Sequence, residues 1–258
     1  MNLAGKALTV ITGIGLLLVV FAAISAATGA EAPSPYQLVK SNVVVNQGCS
    51  GTFISQKNQL VLTAKHCVTD QYRIIEEDVF ADDGEVKKKK VRKFVPGTVT
   101  IPRYQGNKIV SEQIVRTTVV KLSDKSDLAL LKMNFPSFDL KEATVACTEP
   151  LLGDPVTVVG NPMGILVNSV NTGVVSSVTR TNGDIGWEEN REDGLMQVSA
   201  GIVGGNSGGS VYNKAGELIG VPVLAHRANE VLGFAVPLES IHVFLKEANF
   251  PVCEVNDG

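Results

Sequence analysis

From residue 40 onward the chain alternates short runs rich in Val, Ile and Thr with breaks of Gly, Asn and Asp. The runs are Val43–Val45, Gly51–Ile54, Leu60–Thr63, Val115–Leu122, Leu128–Met133, Val156–Val159, Gly173–Val178, Gly209–Tyr212, Leu218–Val221 and Gly233–Val236. β-Branched residues suit a pleated, half-buried surface, so strand-length runs divided by turn signals predict antiparallel sandwiches or barrels. One late segment has a different period. Leu238, Ile241, Phe244 and Leu245 fall at i, i+3, i+6 and i+7, one face of a helix over residues 238–248. The stretch from about Gln71 to Gln113 contributes no run before Val115 and reads as an insertion. No second globular unit and no repeat of 20–50 residues is visible in the sequence.

Before residue 40 the pattern changes. No charge stands between Lys6 and Glu31, and Ile14 to Ile24 is dense in Leu, Val and Ile. A lone cation, an apolar run and then the small residues Ser25, Ala26, Ala27 and Ala30 read as an export signal. At about 20 residues the run is also long enough to span a bilayer. Residues 1–31 are therefore expected to be either a cleaved signal peptide or an uncleaved transmembrane anchor. Lys6 and the terminal amine on one side, with no Lys or Arg until Lys40 on the other, put the N-terminus in the cytoplasm. Both readings place the rest outside it, as a membrane-anchored extracytoplasmic domain or a secreted or periplasmic protein. Residues 32–39, opening on Ala32 to Pro35, are expected as a linker.

Composition narrows the function. With 44% hydrophobic and 19% charged residues, the remainder can bury a substantial core. A formal net charge of −3 argues against a nucleic-acid partner, which calls for a basic excess. The basic run Lys87 to Lys90, with Arg92 and Lys93, reads as the solvated face of a hairpin. Four cysteines, an even number, fit an oxidising compartment. There is no CxxC spacing, and the three histidines, His66, His226 and His242, are scattered, so no metal site is expected. His242, on the C-terminal helix, reads as a surface residue.

Three local motifs carry chemistry. Thr63-Ala64-Lys65-His66-Cys67 follows an apolar strand, Ser126-Asp127 precedes another, and Gly204-Gly205-Asn206-Ser207-Gly208-Gly209 leads into a third. Each alone has a structural explanation as a strand end, a turn or a tight loop. Together, in the order His, Asp, Ser, they make a coherent nucleophile system. A serine hydroxyl is a poor nucleophile at neutral pH unless a base takes its proton. His66 titrates near neutrality and can do so, while Asp127 would hold its other ring N–H and stabilise the imidazolium. Glycines around Ser207 allow a sharp turn that aims the N–H groups of Gly205 and Ser207 at a developing oxyanion. A side chain at Gly205 is expected to crowd the substrate carbonyl.

The motifs, their order and their separations resemble the chymotrypsin-like serine peptidases. That resemblance implies an all-β fold of two six-stranded antiparallel β-barrels with a C-terminal helix, following the N-terminal hydrophobic segment. The first barrel is expected over 40–138, with His66 and Asp127, and the second over 139–258, with Ser207 and the helix. Gly160-Asn161-Pro162-Met163-Gly164, Thr172-Gly173-Val174-Val175-Ser176, Gly216-Glu217-Leu218-Ile219-Gly220 and Gly233-Phe234-Ala235-Val236-Pro237 resemble the Deg/HtrA branch, as does Asn206 beside the nucleophile. The implied activity is serine endopeptidase cleavage of polypeptides through an acyl-enzyme, with no cofactor. A catalytically latent binding or scaffolding module is the alternative. An esterase elbow matches Gly205-Asn206-Ser207-Gly208-Gly209, but esterases of that kind place Asp and His after Ser.

Members of that branch usually carry C-terminal peptide-binding PDZ domains. This sequence ends soon after its last helix, so delivery of substrate through such a domain is not expected. Lys65 replaces a small residue of animal-type relatives and has to point outward or perturb the site. Asn206 replaces the aspartate that pairs with a newly cut N-terminus in zymogen-type enzymes, so activity is expected without such cleavage and other contacts have to hold the oxyanion loop. In animal-type relatives cysteines at the places of Cys49 and Cys67 are bonded, which implies that bridge here. Cys147 and Cys253 are then left to pair, or to remain free buried thiols. The resemblance also puts the primary pocket between residues 199–203, notably Gly201 and Ile202, and residues 221–224, notably Val221 and Val223. No acid stands at its base, so small or medium apolar side chains are expected before the scissile bond. His226 would favour an acidic side chain instead, but it lies several residues beyond the equivalent place.

Overall fold

The fold is taken from a computed structural model, which describes residues 32–69, 72–80, 86–94, 97–136, 139–181, 183–185, 194–226 and 229–253. The hydrophobic segment 1–31 lies outside the described residues. Among those described, no helix is long and apolar enough to cross a membrane.

Two antiparallel barrels, each closed by six strands, form the body of the protein. Around the first run β1 (Asn42–Val45), β2 (Cys49–Ser55), β3 (Leu60–Thr63), β8 (Ala129–Met133), β7 (Lys108–Leu122) and β6 (Thr98–Gln105). Around the second run β10 (Ser169–Ser177), β11 (Met196–Val198), β14 (Asn229–Pro237), β13 (Leu218–His226), β12 (Ser210–Tyr212) and β9 (Pro155–Gly160). Closure leaves no unpaired strand edge on either barrel. Val43, Val45, Phe53, Val61 and Leu131 fill the first, and Val156, Val158, Met196, Val198 and Val211 fill the second. At the centre of the first barrel a Cβ on Gly51 would stand 2.6 Å from Val61 Cγ1 and 2.8 Å from Val45 Cγ2, so only glycine lets those valines meet.

Part of the stretch expected as an insertion belongs to the barrel. β6 closes it between β1 and β7, and its Val99 and Ile101 are fully buried. Its apolar/polar alternation is short and runs into Pro102, which hides the period in the sequence. What does stand apart is the hairpin of β4 (Tyr72–Phe80) and β5 (Val86–Phe94). Its register sets Glu76, Glu77 and Asp78 opposite Lys90, Lys89 and Lys88. The basic run is thus faced by acidic residues across the hairpin.

Three α-helices, with 3-10 turns at Val39–Ser41 and Pro162–Gly164, complete the described structure. α1 (Pro35–Leu38) lies within the expected linker, and a 3-10 turn over Val39–Ser41 follows it. Tyr36 of α1 donates its hydroxyl to Gly106 O at 2.7 Å and meets the Tyr104 ring edge-on, so this segment is docked on the first barrel. α2 (His66–Thr69) is a single turn after β3, and α3 (Leu238–Glu247) follows β14. α3 buries Leu238, Ile241, Phe244 and Leu245, the stripe read from the sequence. It also buries His242, which corrects the surface expectation. Position 242 lies four residues after Leu238 on the same face, and its Nε2 meets Ala146 O at 2.8 Å, which satisfies the ring inside the protein.

Candidate active site

β3 ends at Thr63, and the next residues turn over the mouth of the first barrel to put His66 at the start of α2. Asp127 arrives from the turn before β8, a strand that pairs with β3. Neighbouring strand ends therefore bring together residues 61 positions apart. Four contacts join them. Lys65 N–H donates to Asp127 O at 3.2 Å, and His66 N–H donates to Asp127 Oδ1 at 2.8 Å. His66 Nδ1 lies 2.5 Å from Asp127 Oδ2, and because a carboxylate only accepts, the ring nitrogen is the donor. This leaves Nε2 as the basic nitrogen. The fourth contact is from Lys65, whose ammonium reaches Ser123 O at 2.6 Å, so the long side chain points away from the site and clamps the turn that carries Asp127. Ser123 Oγ accepts from Ser126 N–H at 3.0 Å and stiffens the same turn.

Ser207 lies in the loop before β12, in the second barrel. Ser50 N–H of β2 donates to Ser207 O at 2.8 Å, and Cys67 Sγ lies 3.6 Å from the same oxygen. A Cβ on Gly208 would stand 2.2 Å from Thr63 Oγ1 and 2.8 Å from Ala64 N. The Ser207 loop thus lies directly on the backbone leading to His66. Ser207 Oγ is half-buried and points toward Val223 O at 3.4 Å.

The loop's peptides are oriented by their carbonyls. Val203 O accepts from Asn206 N–H at 3.0 Å, Gly204 O from Met163 N–H at 2.7 Å, and Asn206 O from Gly209 N–H at 2.9 Å. Gly205 O accepts from Ser50 Oγ at 2.7 Å. No acceptor meets the N–H groups of Gly205 and Ser207 among the described residues. In a trans peptide the N–H points opposite the carbonyl. Fixing the carbonyls of Gly204 and Asn206 therefore turns out the N–H groups of Gly205 and Ser207. Gly205 has φ +98°, and a Cβ there would stand 2.4 Å from Asn161 O and 2.5 Å from Met163 N. A steric reason for glycine is thus already present in the protein itself, the Asn161–Gly164 backbone. Asn206 is buried, and neither its Oδ1 nor its Nδ2 finds a partner among the described residues.

The expected pocket residues divide. Gly201 borders open space, with nothing within 4 Å of a Cβ built there. Ile202 is buried, and a Cβ on Gly233 would stand 2.5 Å from its Cδ1, so Ile202 covers Gly233. Val221 is fully buried in the core, whereas Val223 presents its carbonyl to Ser207 Oγ. The backbone of His226 pairs with Asn229 at the far end of β13; its side chain lies outside the described residues. Two disulfides are formed, Cys49–Cys67 beside His66 and Cys147–Cys253, with Cys253 after α3. A ring nitrogen of His66 lies within 4.8 Å of the Cys49 and Cys67 sulfurs, but both sulfurs are bonded to each other and supply no thiolate for a metal. Sequence reasoning missed Ser50, although it lies in the Gly-Cys-Ser-Gly run that carries Cys49.

The trypsin-like peptidase domain, as a family, matches residues 49–221. The HtrA-like serine protease of Staphylococcus aureus strain MRSA252 is 36% identical over 130 residues, which make up 47% of this chain and 17% of that protein. Its counterpart in strain USA300 is 35% identical over the same length and shares. The chain thus spans less than a fifth of the length of these curated relatives. The family match covers His66, Asp127, Ser207 and most of both barrels. On its fold and on that match, the chain belongs to the trypsin-like peptidase family, and within it is similar to HtrA-type proteases.

Proposed function

We propose that this protein is an exported serine endopeptidase with Ser207 as nucleophile, His66 as general base and Asp127 as the residue that orients and stabilises His66. The observation that carries the reading is the 2.5 Å contact of His66 Nδ1 with Asp127 Oδ2 beside a loop whose Gly205 and Ser207 N–H groups are left without acceptors. In the reaction Ser207 Oγ attacks the scissile carbonyl carbon as its proton passes to His66 Nε2. The oxyanion takes hydrogen bonds from Gly205 and Ser207. Collapse of the intermediate expels the amine, which takes the proton from His66, and leaves acyl-Ser207. Water then gives its proton to His66 and attacks the ester. A second collapse releases the new carboxyl terminus and returns the proton to Ser207.

Unfolded or flexible polypeptide is the substrate class, paired in extended form along β13. The side chain before the scissile bond is small or medium and apolar, a reading supported by the absence of any acidic residue in 199–203 and 221–224 and by the open space beside Gly201. Export rests on the apolar segment 1–31, as cleaved signal or anchor, and is supported by two disulfides, which persist in oxidising compartments. Labelling of the protein with a fluorophosphonate probe tests the nucleophile. Labelling lost in both Ser207→Ala and His66→Ala supports the assignment, while no labelling of folded wild type turns the reading toward a latent binding module.

A further inference from the structure

The Gly204–Gly205 peptide has a glycine on either side, so little in its own chemistry stops it from rotating and withdrawing the Gly205 N–H from the oxyanion. No ion pair at Asn206 restrains it, since the Asn206 amide is buried without a partner among the described residues. The restraint comes from the other barrel. Ser50, fully buried in β2, donates its hydroxyl to Gly205 O at 2.7 Å. The same oxygen accepts from Asn161 N–H at 2.8 Å and Asn161 Nδ2 at 3.0 Å, which fills the hydroxyl's one donor and two acceptor places. Asn161 begins the turn that delivers Met163 N–H to Gly204 O at 2.7 Å. Ser50 N–H holds Ser207 O at 2.8 Å.

We infer that Ser50 is a positioning residue for the oxyanion hole, whose hydroxyl locks the backbone on both sides of Gly205 to the first barrel. It acts on the peptide after Gly205 directly, and on the peptide before it through Asn161 and Met163. Its backbone N–H fixes the carbonyl of the other donor residue. The first barrel therefore supplies Ser50 as well as His66 and Asp127 to the chemistry, and the inference rests on the endopeptidase reading above.

The test compares wild type, Ser50→Ala and Ser50→Thr as full-length chains, with thermal melts confirming that each is folded at the assay temperature. Casein and a short peptide ester report turnover. A peptide aldehyde ending in valine, whose adduct with Ser207 carries the oxyanion, is compared with the matching carboxylate product, which binds without it. A structural role alone would weaken all binding together. The expectation for Ser50→Ala is a kcat lower by about 10- to 100-fold with little change in KM, less than the roughly 10²–10³-fold of an oxyanion donor lost outright, because the donor is loosened and not removed. Aldehyde inhibition should weaken by a similar factor, product inhibition should hardly move, and Ser50→Thr, which keeps the hydroxyl, should recover activity. Unchanged kcat and aldehyde affinity in folded Ser50→Ala would overturn the proposal alone. A folded wild type that neither turns over substrate nor takes a fluorophosphonate would overturn the peptidase reading, and this proposal with it.

Discussion

Gly204 and Gly205 are neighbours of the same type, yet the structure gives them opposite tolerance for a methyl group. At Gly204 a Cβ meets nothing within 4 Å. At Gly205 it would stand 2.4 Å from Asn161 O, 2.5 Å from Met163 N and 2.8 Å from Gly164 N, at a φ of +98°. That φ lies beyond the left-handed well open to alanine, which costs about 1–3 kcal/mol. The atoms it meets are backbone and already engaged, Met163 N–H with Gly204 O and Asn161 O with Gly164 N–H. They cannot yield as a flexible side chain would, so the loop itself has to rotate and carry the Gly205 N–H away. Loss of one such donor lowers turnover by about 10²–10³-fold, or about 2.7–4 kcal/mol in the barrier. Gly205→Ala is therefore expected to lose that much kcat/KM on a peptide ester. Gly204→Ala should stay within about twofold, since substitutions that make no new contact remain within about 0.5 kcal/mol. Steady-state kinetics on the two variants, with circular dichroism to verify folding, decides the matter. Equal activity of both would refute the close approach and the oxyanion role together.

Other consequences are open to direct measurement. Removing the Cys49–Cys67 bridge, which closes a sequence separation of 18, should cost about 2–4 kcal/mol and also lower kcat because it holds the His66 turn. Removing Cys147–Cys253 should cost comparable stability but leave kcat near wild type, read from denaturant melts beside turnover. Asn206→Asp puts a carboxylate in a buried place with no partner, so its folded pKa should rise. Stability is then retained at pH values below the unfolded aspartate pKa of about 4 and lost as pH rises above it, by at most about 4 kcal/mol at neutrality. Melts at pH 5 and pH 8 that show no such trend would count against it. Glu149, beside α3, has its carboxyl raised by burial and then by the charge of Glu239. It therefore favours the fold where it is protonated and opposes it as pH climbs through the raised value. Glu149→Gln should raise the melting temperature at pH 8 and lose that advantage near pH 4.

The local chemistry of the chain was enough to read much of this protein. The ten Val, Ile and Thr runs lie within strands or begin one residue before them, apart from Val178 just past β10, because alternation and turn residues are short-range signals. His66, Asp127 and Ser207 stood out as candidates because each lies in a compact motif beside a strand, and the α3 stripe was legible because its period is local. β11, only Met196–Val198, and β6, broken by Pro102, are strands through their pairing more than their pattern, so only the closed barrels reveal them. The same holds for burial of His242, which depends on the carbonyl of Ala146 lying 96 residues away in sequence. The direction of Lys65 was decided by Ser123, brought near by β7 and β8. The steric demand on Gly205 and the grip of Ser50 on its carbonyl join segments more than 40 and 150 residues apart. Sequence alone thus determined which residues have the right chemistry and which elements carry them. Only tertiary structure decided what orients them, because hydrogen bonds and close contacts between the two barrels have no periodic trace along the chain.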